Sequence, residues 1–308
     1  MVTGEIRTRK MEWKKIFDAG ISMGHACDIR NIEAPGSYSS GYSDSMIIHG
    51  DRERQIEDVY IAVDAGVPEM LVVNELKKQG KKIGGIIVHH PAGEGYYRLA
   101  EMAILQKYNW IRHGVDTKKA DSIYKKMMRE ESAGIRAGNH LRTGNAAGLL
   151  DIPVICLHTP LDNIVQVFFE DIVNINGFST TGDILGFIRD LPECRAASSN
   201  GDIPYIAGSS KAAPGKIMVD MTGGIDPDPS IFPLLKKAGI NTLVSMHYSQ
   251  DNIKTLKKNN INAVMTGHMA SDSIGLNIYC DRLEEMGIGI VCGPGFYRQK
   301  RQTGQVPS

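Results

Sequence analysis

Residues Ile152–Asp162 read IPVICLHTPLD, and residues Ile261–Asp272 read INAVMTGHMASD. Each begins as a short apolar run, which at this length reads as a buried strand. Each then passes through a histidine, three further residues and an aspartate into helical spacing, over Asp162–Val173 in one case and Ile274–Met286 in the other. The same alternation extends outward. Val59–Val63, Ile83–Val88, Lys216–Val219, Thr242–Met246 and Ile288–Cys292 read as further strands, and Glu69–Lys78, Tyr96–Tyr108, Thr117–Glu131 and Ile231–Ala238 as helices. Strands alternating with helices predict an α/β fold with sheets flanked by helices.

The two stretches belong to a longer repeat. A strand ending Val63–Asp64 precedes His89, and a strand ending Val219–Asp220 precedes His247; an H-x-x-x-D element follows in each half. Only the first half carries the extra stretch of about residues 92–150, which reads as a helical insertion. The expectation is two similar α/β units from an internal duplication. Residues 1–205 form the first, with its N-terminal segment and the insertion, and residues 206–308 form the second.

Composition narrows the function. Lys plus Arg (35) balance Asp plus Glu (35), so no overall charge draws the chain to nucleic acid or an anionic membrane. No run reaches the ~20 apolar residues of a spanning helix. The charged start, MVTGEIRTRKMEWKK, does not resemble a secretory signal. Five scattered cysteines without a C-x-x-C pair argue against a disulfide framework and against a cysteine zinc site. A reduced, cytoplasmic protein is expected.

Five of the nine histidines stand at the ends of apolar runs, the edge where ligands collect in α/β sheets. His89 and His90 are adjacent, and Pro91 holds His90 extended, so that both rings can serve one site. With Asp162, His268 and Asp272 they make five imidazole and carboxylate donors. That set suits zinc, iron, manganese, cobalt or nickel, and two such ions about 3.5–4 Å apart could share it while leaving positions for water. The plainer reading makes each aspartate an N-cap and each histidine a hydrogen-bonded structural residue. Two H-x-x-x-D elements beside a His-His-Pro weigh against it. The metal site is expected between the two units. Elsewhere His25–Asp28 reads as a turn, Cys156 as a core thiol, Thr222–Gly224 as a loop and Tyr297–Arg301 as a frayed tail; His140, with Arg136 and Arg142, could reach over a site as a lid.

In these residues the chain resembles the Nif-three-like family, also called type 2 GTP cyclohydrolase I. The resemblance rests on His89–His90–Pro91, His158-T-P-L-Asp162-N, Gly267–His268-M-A-S-Asp272 and the Asp64 strand, in that order. It covers about Val59 to Met286. Asp272 stands where the family usually has Glu, and Pro160 where it has Asn; Ser40–Asp44 is expected to stand in for the family's N-terminal pattern. The resemblance implies two α/β halves around a dinuclear centre held by His89, His90, Asp162, His268 and Asp272, and a ring-like hexamer. The expected function is a metal-dependent hydrolase acting through an activated water on a small molecule such as a nucleotide or phosphoester. His158, His247 or His140 would shuttle protons. The alternative is a non-catalytic metal-binding oligomer that works through protein partners or metal storage.

Overall fold

The alternation along Val59–Val63 sets the layering. Val59, Ile61 and Val63 pack into one core, Tyr60 and Ala62 into another, and all five are buried, so both faces of this sheet are covered. The computed structural model describes residues 10–33 and 41–301. The charged start of the chain through Arg9, and Ser40, lie outside the described residues.

In chain order the strands are β1 (Met11–Glu12), β2 (Met46–His49), β3 (Gln55–Ile56), β4 (Asp58–Ala62), β5 (Ile83–Val88), β6 (Val154–Cys156), β7 (Tyr205–Ala207), β8 (Lys216–Asp220), β9 (Ile240–Ser245), β10 (Asn262–Met265) and β11 (Gly289–Cys292). The helices are α1 (Trp13–Ala26), α2 (Ile29–Glu33), α3 (Val67–Lys78), α4 (Glu94–Tyr97), α5 (Ile104–Arg112), α6 (Thr117–Ile135), α7 (Leu141–Leu150), α8 (Thr159–Ile175), α9 (Thr181–Asp190), α10 (Pro192–Ser198), α11 (Ile231–Lys237), α12 (Gln250–Lys258) and α13 (His268–Glu285).

Two sheets repeat one plan. The first has the order β11-β4-β5-β6-β2, and the second β7-β10-β9-β8. In each, three parallel strands in sequence order end on an antiparallel edge strand, β2 beside β6 and β7 beside β10. Even the irregularity recurs: the register slips after Asp58 in β4 and after Lys216 in β8. This is the topology a duplication leaves. The mixed α/β architecture with helix-flanked sheets is as the sequence predicts.

Helices α1, α8, α13 and α10 pack in succession between the sheets. Their residues Leu161, Val165, Ile274 and Ile278 join Ile61, Ile87 and Ile155 of the first sheet to Val219, Val244 and Val264 of the second in a single core. Each such fully buried side chain contributes about 1.5–3 kcal/mol. The outer faces are closed separately, by Met70, Val73 and Ala147 of α3 and α7 on the first sheet and by Phe232, Leu235, Ile253 and Leu256 of α11 and α12 on the second.

Some details differ from the sequence reading. Strand β11 hydrogen-bonds to β4 in the first sheet, although it lies within the chain span of the second unit. The insertion is helical, but Tyr96–Tyr108 is not one helix: a 3-10 segment, Leu99–Ala103, separates α4 from α5. Its Trp110 and Met127 are buried in the second sheet's outer core, so the insertion leaves the first unit to cover the second. Tyr297–Arg301 is docked rather than frayed. Arg298 pairs with Asp281 at 2.5 Å, and Arg301 with the buried Glu193 at 2.6 Å. Among the described residues no helix is long and apolar enough to cross a membrane.

Candidate metal centre

Strand pairing carries the two adjacent histidines past the end of β5. The backbone N–H groups of His89 and His90 still donate to the carbonyls of Ala62 and Val63, at 3.1 and 2.8 Å. The inward parity of Ile87 continues to His89, which is buried, while His90 turns partly out before Pro91. Helices α8 and α13 follow β6 and β10 directly, so both present their first turns to the same strand ends. The N-caps are His158 and Gly267, not the aspartates. Asp162 and Asp272 stand inside the helices and point at the histidines, which sets aside the capping reading.

The two H-x-x-x-D elements are not superposable in register. His158 lies two residues beyond the last paired residue of β6, whereas His268 lies three beyond that of β10. A one-residue offset turns a helical side chain by about 100°. The elements therefore present their imidazoles differently, and together they close around one centre.

Three imidazoles are held through Nδ1. His89 Nδ1 is 3.0 Å from the Leu157 carbonyl, His90 Nδ1 2.8 Å from Asp64 and His158 Nδ1 2.7 Å from the buried Asp44. A carbonyl or carboxylate partner makes Nδ1 the donor, which leaves Nε2 with its lone pair turned toward the aspartates. His89 Nε2 lies 3.4 Å from Asp162 Oδ1 and 3.5 Å from Asp272 Oδ1. His90 Nε2 lies 3.2 Å from Asp272 Oδ2 and 3.3 Å from His268 Nε2, which is itself 3.4 Å from the same carboxylate oxygen. His158 Nε2 is 3.5 Å from Asp162 Oδ2. Each aspartate thus divides its two oxygens between different histidines.

The charges express the same convergence. Burial alone would push the Asp272 carboxyl up, but the charges of His89 and His268 and the hydrogen bond to His90 hold it far below the usual range. Burial alone would push His89 and His90 down. The carboxylates reverse this, raising His89 well above its ordinary value and His90 to about 9. His268 is lowered, by burial and by the neighbouring imidazoles.

The donor set fits a divalent cation. His89 Nε2 and Asp272 Oδ1 are buried and without a hydrogen-bond partner, facing each other across 3.5 Å. Lone pairs gathered in this way repel unless a proton or a cation lies among them. His89, His90 and Asp272 form one group with ligand spacing, and His89, His158 and Asp162 a second.

Of the expected donors, His89, His90, Asp162, His268 and Asp272 are brought together. His158, expected only as a proton shuttle, stands in the cluster. His247 is half exposed at the rim, with its ring 4.8 Å from that of His268. His140 is held between Tyr96 and Tyr97 by ring contacts and bonds to the Ile135 carbonyl, and it does not line the central cavity. Cys156 is a buried core thiol, as expected. Asp28 departs from the plain turn, making a buried ion pair with Arg30 at 2.6 Å. The sequence reading placed Asp44 only within the stand-in for the family's N-terminal pattern and did not foresee its bond to His158, which joins residues far apart in the chain.

The cluster opens into a cavity of about 370 Å³. Asp220, Thr222, Gly224, Asp226 and Tyr248 of the second unit and Gln106 of the insertion complete its wall.

No protein-family model matches the chain, and no curated protein matches its sequence. Solved structures do. The chain is similar to a NIF3 superfamily protein from Sphaerobacter thermophilus, with a TM-score of 0.74 and 23% identity over 91% of this chain and 97% of that one. It is also similar to reduced HcgD from Methanocaldococcus jannaschii, with a TM-score of 0.53 and 12% identity over 92% and 98% of the two chains. At such identities the likeness carries the fold, and over nearly its whole length this chain has the fold of the NIF3 superfamily protein.

Proposed function

We propose that the chain is a metal-dependent hydrolase whose centre holds two divalent ions and acts on a small molecule. The observation that carries this reading is the facing pair of partnerless buried atoms, His89 Nε2 and Asp272 Oδ1, inside a donor cluster that opens into a cavity. Bound ions would act as Lewis acids and bring the pKa of a water in the site toward neutrality. His89, His90, Asp162, His268 and Asp272 would hold them, with His158 beside Asp162. Asp64, Asp44 and the Leu157 carbonyl fix the tautomers of the three Nδ1-bonded imidazoles, which keeps each Nε2 free for an ion. His247 at the rim, 3.9 Å from Asp226, is placed to exchange a proton with solvent. The open cavity favours catalysis over storage, because a storage site needs no room for substrate. The ring-like hexamer implied by the resemblance is part of the same proposal, and light scattering of the purified protein measures it.

Elemental analysis of protein purified without chelator or affinity-tag metal tests the centre. About two transition-metal ions per chain are expected, with loss in Asp162→Ala and His268→Ala. Turnover of a substrate panel by the loaded protein and none by those variants would establish hydrolysis. Failure to take up zinc, manganese or iron would overturn the reading.

A further inference from the structure

The cavity wall away from the metal cluster has a chemistry of its own. Five aspartates and four histidines line the cavity, and none of its described lining residues is Lys or Arg. Two polar atoms outside the cluster are buried there without a hydrogen-bond partner, Gln106 Oε1 and Asp220 Oδ1. The Gln106 amide is oriented, because its Nε2 donates to the Ile225 carbonyl, which leaves Oε1 as an acceptor. Asp220 is oriented as well: Tyr248 donates its hydroxyl to Oδ2 at 2.6 Å, leaving Oδ1. Asp226 adds a carboxylate on the loop that follows β8, one oxygen taken by the Ser249 N–H at 2.9 Å. An acceptor buried without a donor has lost its water and gained nothing in return, which destabilises it until a donor arrives. Here two of them share a cavity with the Asp226 carboxylate, whose neighbours are the Ser249 N–H and, at 3.9 Å, His247 Nδ1.

Resting on the hydrolase reading, we infer that Gln106, Asp220 and Asp226 form a substrate subsite for a neutral or cationic group rich in N–H donors, such as an amidine, a guanidine or an aminopyrimidine edge. A phosphate in that position would meet carboxylates and no arginine or lysine clamp, the usual means of holding phosphate. The subsite therefore selects against triphosphates and toward amino-bearing substrates. Burial, with Asp226 nearby, raises the Asp220 carboxyl to about 6 against the lowering bond from Tyr248, and a donor-bearing ligand would relieve that penalty.

The test uses methylguanidinium as the probe, with inorganic triphosphate as its competitor. Binding to the full chain is followed by ligand-observed NMR after zinc loading, and metal content is read on the same samples. Saturable binding is expected, weakened about tenfold in Asp220→Asn, less in Asp226→Asn, and not displaced by triphosphate. Asp251→Asn, an exposed carboxylate on α12 outside the cavity, serves as the control and should leave probe affinity within about twofold. Circular dichroism confirms that each variant folds. No binding to wild type, unchanged affinity in folded Asp220→Asn, or displacement by triphosphate would each overturn the inference. Samples that fail to load zinc yet show the Asp220 dependence would sink the metal reading and leave the subsite standing.

Discussion

Asp64 is three-quarters exposed, yet its 2.8 Å bond to His90 Nδ1 decides which nitrogen of that ring faces the cluster. Partners of this kind typically govern metal affinity by 10- to 100-fold. Asp64→Ala should therefore weaken zinc binding by about tenfold or more in competition with a chromophoric chelator, with little change in stability. Unchanged affinity would mean that packing alone orients the ring. Protons at the same imidazoles give a second prediction. In metal-stripped protein His90 titrates near 9 and His89 is also raised, against about 6.5 in the unfolded chain. A raised histidine stabilises fully below the unfolded value, and that contribution is lost as pH rises through the folded one. The stripped protein should melt at a lower temperature at pH 9 than at pH 6.5. Zinc should remove most of that difference, because the cation replaces the protons. Equal melting temperatures for the stripped protein at both pH values would show that the imidazoles are neutral.

At the scale of elements, the buried strands and the helices after them were legible because continuous apolar runs and 3.6-residue spacing leave strong marks. Helix α1 was not. Two of its four buried residues, Trp13, Ile16, Gly20 and Gly24, are glycines, so its packing face carries little apolar signal. Strands β2 and β7 were missed because they are short antiparallel edges. The His and Asp donors could be read from position at strand ends, whereas the one-residue offset between the two H-x-x-x-D elements depends on ladder register, which spacing does not encode. Gly24 itself sets where α8 begins. A Cβ there would lie 2.4 Å from the Pro160 Cα, and backbone cannot yield as a side-chain tip can. Gly24→Ala should cost about 1–3 kcal/mol in urea denaturation. It should also weaken zinc binding, because α8 carries Asp162. A loss of stability with intact metal affinity would show that α8 moves as a rigid unit with its ligands.

At the scale of the whole molecule, the duplicated halves are not independent. Strand β11 returns to the first sheet, the insertion covers the second, and the helices between the sheets form one core with both. The candidate centre repeats this division. His89, His90 and Asp162 come from the first half and His268 and Asp272 from the second, so a bound ion would tie the halves together. A ligand that binds only the folded state stabilises it by RT ln(1 + [L]/Kd), about 4 kcal/mol at 1,000 times Kd. Calorimetry should therefore record one unfolding transition, and zinc should move the whole of it upward. A fragment of residues 206–308 should not melt cooperatively, because β11 would lack β4 and half of the inner core would be open to water. Two transitions, of which zinc moves only one, would place the ions within a single half. That outcome would contradict a centre shared by His90 and Asp272.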